Sequence, residues 1–126
     1  ATLLGAGYLP VISPLAKNAD GHGALNVNGD DAAAAIAVAA GAAELLLVAD
    51  VGGVIGEEGR VLDNLDVETA RELIASGTAS NGMAAKLEAA HAALAGGVPS
   101  VRIASLAGIL DSALGTTMTL AASLAA

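Results

Sequence analysis

A chain of 126 residues with 55% hydrophobic side chains can bury one real core but is marginal for two. Five basic residues against thirteen acidic ones leave a formal net charge of −8, too few cations for a phosphate-tracking patch, so nucleic acid is not the expected partner. With no cysteine, a disulfide framework and a thiolate metal site are both excluded.

Phe and Trp are missing and Tyr occurs once, so core volume has to come from Ala, Val, Leu and Ile. Such a core reaches ordinary density only if helices approach the sheet closely. Gln is absent too, and four missing residue types would also suit an engineered or reduced-alphabet chain. The longest apolar run, Ala32 to Ala43, stops at Glu44 and falls short of the roughly 20 residues a bilayer needs. No basic region precedes the first apolar residues, so a signal peptide is not expected and a soluble cytoplasmic protein is.

"YLPVISPLA", Tyr8 to Ala16, predicts a short buried strand between Pro10 and Pro14. "KNADGHGA" is turn chemistry. Asp30 or Asp31 is then placed to cap an alanine-rich helix, and Gly41 to end it. "ELLLVAD" is an apolar run with a charge at each end, the pattern of a strand buried on both faces. "VGGVIGEEGR" is a glycine-rich loop, after which Asp66 caps "VETARELIASG". "SNGMAAKLEAAHAALAGG" predicts a further helix, "SVRIAS" a strand, "LAGILDSAL" a short helix and "GTTMTLA" a terminal strand.

Strands alternating with helices predict an α/β fold, a three-layer αβα sandwich around a mainly parallel sheet, in one domain over residues 1–126. In such a sheet ligands bind beyond the carboxyl ends of the strands, where helix N-termini also point. The rule selects the loops after Ile12, Ala49 and Ile103 and the helix starts near Asp30 and Asn81. Asn26, Asp30, Asp50, Gly52, Gly53 and Lys86 fall on or near that edge, which reads as an anion or nucleotide site.

No GxxxxGK occurs, and "GAGYLP" and "GHGALN" both fail GxGxxG at the last glycine, so neither a Walker ATPase nor a dinucleotide fold is signalled. His22 and His91 are isolated and read as loop and helix-surface residues. Taken singly, Asp30 is a helix cap, Asp50 a turn residue and Lys86 a solvated lysine.

Taken in order, "NVNGDDAAAAIAVAAGAAELLLVADVGGVI", "SNGMAAKLEAAHAAL" and "GTTMTL" resemble the C-terminal, nucleotide-binding half of the acetylglutamate kinases of the amino-acid kinase family, from about Tyr8 to Leu120. The resemblance implies that Asn26, in the "NxNxD" element, contacts the acyl amino acid and that Asp30 holds active-site lysines. It implies that Asp50, Val51 and Gly53 line the nucleotide, with Ala49 where the family has a hydroxyl residue. In the "GMxxK" element it places Met83 at the nucleotide and Lys86 against the transferring phosphoryl group.

The cofactor so implied is ATP, with Mg²⁺ carried by the nucleotide and no protein metal site. The acceptor would be a side-chain carboxylate, already ionised at neutral pH with a pKa near about 4.3, so no general base is needed. Bringing two anions together and neutralising phosphoryl charge is then the protein's task.

The family also carries an N-terminal half with a lysine-glycine phosphate element, which "ATLLGAG" does not match; turnover by this chain alone is expected to be very slow or nil. Three readings stand side by side. One is a kinase-derived nucleotide domain, one an interaction or designed scaffold that keeps the fold without binding, and one a kinase completed by self-association. For the acyl substrate, "NGMAAKLEAA" and "GEEGRVL" lean to acetylglutamate, whereas "ALNVNGD" and "AGGVPSVRIAS" also resemble kinases acting on carrier-linked aminoadipate.

Overall fold

A computed structural model describes residues 2–121. A short helix α1 (Thr2–Gly5) precedes an extended, exposed stretch. Next comes a hairpin of β1 (Leu15–Lys17) and β2 (Ala24–Asn26), paired antiparallel with Ala16 opposite Leu25. The buried strand expected between Pro10 and Pro14 does not form: residues 11–13 are exposed and without regular structure. Two prolines leave too few backbone donors for a ladder there, and pairing begins only after Pro14.

Helix α2 (Gly29–Ala40) is capped by Asn28, whose side chain accepts from the N–H groups of Asp30 and Asp31 at 2.9 and 3.2 Å. The cap therefore lies two residues before Asp30 and three before Asp31, which sit in the first helical turn where their charge favours the helix dipole. Gly41 ends α2 in the left-handed conformation, as its position predicts.

The main sheet runs β3 (Glu44–Val48), β5 (Ser100–Ala104), β6 (Thr116–Thr119) and β4 (Asn64–Asp66), in that spatial order. β3 is parallel to β5 and β4 to β6, while β5 and β6 are antiparallel. The strand "ELLLV" was expected to be buried on both faces. It is an edge strand of this sheet, and only Leu45 and Leu47 are buried along it.

Helix α3 (Val67–Ala75) starts at Asp66, whose carboxylate accepts from Thr69 N–H at 2.7 Å. Helix α4 (Asn81–Ala95) packs against α2, α3, β3 and β5. Leu87, Ala90, Ala93 and Leu94 of α4 join Val101, Ile103 and Met118 of the sheet in one core cluster. The alternate positions of β5, Arg102 and Ala104, face Gly108 of the short helix α5 (Ala107–Leu110) instead. Helices thus flank both faces of the sheet, the three-layer α/β arrangement that the sequence pattern predicts.

Arg102 is buried in that outer layer. Its guanidinium donates to the carbonyls of Gly108 and Leu114 at 2.6 and 3.1 Å and meets Glu44 at 3.4 Å. Among the described residues no helix is long and apolar enough to cross a membrane.

Candidate functional site

β3 ends at Val48, and its direction is continued for one residue by a bond from Ala49 N–H to the Ala104 carbonyl, 2.8 Å. The chain then turns through Asp50, Val51, Gly52 and Gly53. Asp50 and Val51 of this turn share a cavity with the start of α4, at the edge that the rule for strand carboxyl ends selects. Between them lies a cavity of about 550 Å³ lined by Asp50, Val51, Ile55, Ser80, Met83 and Lys86, among others. That volume is within the range of small-molecule sites.

The α4 end of this cavity gathers a helix start and a lysine. Ser80, the N-cap, makes no side-chain capping bond, so the first-turn N–H groups of a 15-residue helix are left without a side-chain acceptor. Asn81 opens the helix at φ 48°, a left-handed conformation uncommon for any residue but glycine and most tolerated by Asn or Asp. Gly82, which follows, also lines the cavity.

Lys86 stands in the second turn of α4 and is the one basic residue on the cavity wall. Its Nζ donates to both carboxylate oxygens of Asp30, at 2.9 and 3.2 Å, across 56 positions of sequence. The side chains are 19% and 22% exposed, so the pair is largely shielded. An ammonium tethered in this way cannot sweep a wide volume, yet it keeps a third proton for another acceptor.

The structure brings together Asp50, Val51, Met83 and Lys86 on one wall and joins Asp30 to them through Lys86. Gly53 is buried and is not among the cavity-lining residues; it lies against Thr116. Asn26 is exposed at the end of β2 and is likewise off the cavity wall. Of the three loops expected at the ligand edge, the one after Ile12 follows no strand, whereas the one after Ala49 forms the cavity.

Sequence reasoning did not single out Thr78, Ala79 and Ser80, which also line the cavity. Their signal was the small polar run between Gly77 and the α4 start, a turn followed by an N-cap. His91 is half-buried and lines a separate cavity between α3 and α4 with Arg71 and Glu88.

The amino acid kinase family matches residues 1–105. The chain belongs to this family. It is 50% identical over 99 residues to the acetylglutamate kinase of Rubrobacter xylanophilus, a match covering 79% of this chain and 38% of that protein. The acetylglutamate kinase of Chloroflexus aurantiacus is 47% identical over 109 residues, covering 86% of this chain and 42% of the relative. The chain thus spans about two fifths of the length of these curated relatives.

Among solved structures, smu.665 from Streptococcus mutans superposes with a TM-score of 0.83 at 31% identity, over 95% of this chain and 46% of that one. A carbamate kinase from Giardia lamblia bound to AMP-PNP matches at TM-score 0.63 and 21% identity, over 77% of this chain and 34% of that one, a likeness of fold.

Proposed function

We propose that this chain is the nucleotide-binding portion of an acetylglutamate-kinase-like enzyme that transfers a phosphoryl group from ATP to a side-chain carboxylate. The observation that carries the reading is Lys86, tethered by Asp30 in the second turn of a helix whose start has no side-chain cap bond, on the wall of one cavity. A lysine and a helix start offer positive charge to phosphate oxygens from two directions. Val48, Val51, Ile55 and Met83 provide apolar wall for a nucleoside, with Asp50 at its edge.

The residues present fit ATP better than they fit a protein-held metal. No group of three potential metal-ligating side chains occurs among the described residues, so Mg²⁺ in this reading is held by the nucleotide phosphates. What Mg²⁺ supplies when bound is charge neutralisation across the phosphates. Lys86 acts on the transferring group as a fixed charge, and Asp30 keeps it fixed.

Asn26 is proposed to meet the acyl amino acid, acetylglutamate in the first instance and carrier-linked aminoadipate as the alternative. Gly53 is proposed to serve the nucleotide through the shape of its loop. This chain's lysines are Lys17 and Lys86, and neither is followed by glycine. With one phosphate-facing lysine, binding is expected from the chain alone and turnover is not.

Ala49 favours a second reading, a fold retained without nucleotide binding, because it lines the cavity where the resemblance calls for a hydroxyl. Calorimetric titration of the chain with Mg-ADP, beside Lys86→Ala, separates the two. Saturable heat with at least tenfold weaker binding in the variant is expected. No heat up to millimolar ligand would overturn the nucleotide reading and leave the scaffold one.

A further inference from the structure

We propose that Thr116 is a positioning residue of the candidate nucleotide site, its buried hydroxyl fixing the turn that supplies Asp50 and Val51 to the cavity wall. The inference rests on the nucleotide reading for its functional meaning and on the geometry of the turn for its structural one.

Thr116 opens β6, opposite Ile103 of β5, and is fully buried. Its Oγ1 accepts a hydrogen bond from Val54 N–H at 2.8 Å, across 62 positions. Val54 is equally buried, so without Thr116 its N–H would have no water to turn to. At the other end of the turn, Ala49 N–H is held by the Ala104 carbonyl at 2.8 Å. Residues 50–53 are therefore strung between two buried anchors, one on β5 and one on β6.

Gly53 makes the second anchor possible. A Cβ there would lie 2.7 Å from Thr116 Oγ1 and 2.8 Å from Val61 Cγ1, closer than side chains tolerate, and a tight 3.2 Å from Thr116 N. Glycine at this position lets the turn pass between Thr116 and Val61 without displacing either side chain. Past Val54, its own carbonyl accepts from Leu62 N–H at 2.8 Å, and Ile55 bridges Val61. The Thr116 bond thus sits at the root of a folded excursion that also delivers Ile55 to the cavity. Thr116 itself is not on the cavity wall and acts through this backbone.

The hydroxyl, more than the bulk, is what the position requires. Valine has nearly the same shape but leaves the buried Val54 N–H unpaired, whereas serine keeps the acceptor. The test compares the chain with Thr116→Val, Thr116→Ser and the core control Leu73→Ala, whose position on α3 is off this cavity. Mg-ADP affinity is read by calorimetry and Val54 amide exchange by NMR.

Thr116→Val is expected to raise Kd at least tenfold and to speed Val54 exchange at least tenfold. Thr116→Ser should stay within threefold on both, and Leu73→Ala should lower Tm with Kd unchanged. Wild-type affinity or wild-type Val54 exchange in Thr116→Val overturns the proposal, as does equal weakening by Leu73→Ala. Absence of heat in the wild type instead overturns the nucleotide reading, and the exchange rates alone then decide whether Thr116 fixes the turn. If Thr116→Val does not fold, Gly53→Ala disturbs the same contact from the other side, and unchanged exchange and binding there overturn the proposal.

Discussion

Replacing Asp30 by Asn is the sharpest probe of the site, because it keeps the shape and one acceptor while removing the charge opposite Lys86. At about 3 Å and an effective dielectric of about 20, the bare attraction in this pair is roughly 5–6 kcal/mol. Desolvation and the ordering of two side chains offset most of it. Exposed pairs return about 0.2–1 kcal/mol, and breaking a fully buried one costs about 3–5 kcal/mol. Side chains that are 19% and 22% exposed lie between those limits, so a coupling of about 2 kcal/mol is expected.

Urea unfolding followed by circular dichroism measures it in a cycle of wild type, Asp30→Asn, Lys86→Met and the double variant. Either single change should lower the unfolding free energy by about 2 kcal/mol, which in a parallel thermal melt is a fall in Tm of about 6–12 °C for a domain of this size. The double variant should cost little more than one single change. Additivity of the two single effects to within about 0.5 kcal/mol would refute the argument, since independent sites add and coupled ones do not.

Asn28→Ala should cost about 1 kcal/mol in the same unfolding assay, since its side chain alone satisfies the Asp30 and Asp31 N–H groups; Asn28→Asp should restore it. Bonds from Thr69, chiefly its backbone N–H, hold the Asp66 carboxyl below its ordinary 3.8. A folded value below the unfolded one means the contribution is full above about pH 4 and is lost as pH falls through the folded value. The urea midpoint of the wild type should therefore fall more steeply from pH 4 to pH 2 than that of Asp66→Asn; parallel profiles would show that the cap bond carries no charge dependence.

The elements with strong local chemistry were legible in the sequence, and those that depend on distant partners were not. Gly41 and Asp66 announce helix ends through left-handed glycine and capping, and the run from Ser80 to Gly97 is bounded by a serine and a glycine pair, which are local signals. β4 escaped notice because "NLD" is three residues long and exists only where β6 pairs with it. The apolar run Leu45–Leu47 reads as doubly buried by composition alone, but strand order decides which faces are covered. Asn28 was overlooked as the α2 cap because three candidate caps stand together, and only backbone conformation, extended at Asn28, separates them.

The site shows the same division, and composition explains how it closes. Asp30 and Lys86 can meet only if α2 and α4 run close together, and the residues between them are small. Ala34 and Ala37 of α2 and Ala89, Ala90 and Ala93 of α4 are buried, with Gly96 so near Val38 that a Cβ there would collide with it. Larger side chains at these positions would push the helices apart, and a salt bridge of 2.9 Å does not stretch far before its bonds are lost. The alanine richness that looks like low information in the sequence is thus the packing condition for the Asp30–Lys86 ion pair. A core of small residues brings the helices close enough for a carboxylate near the N-terminus of one to hold a lysine of the other.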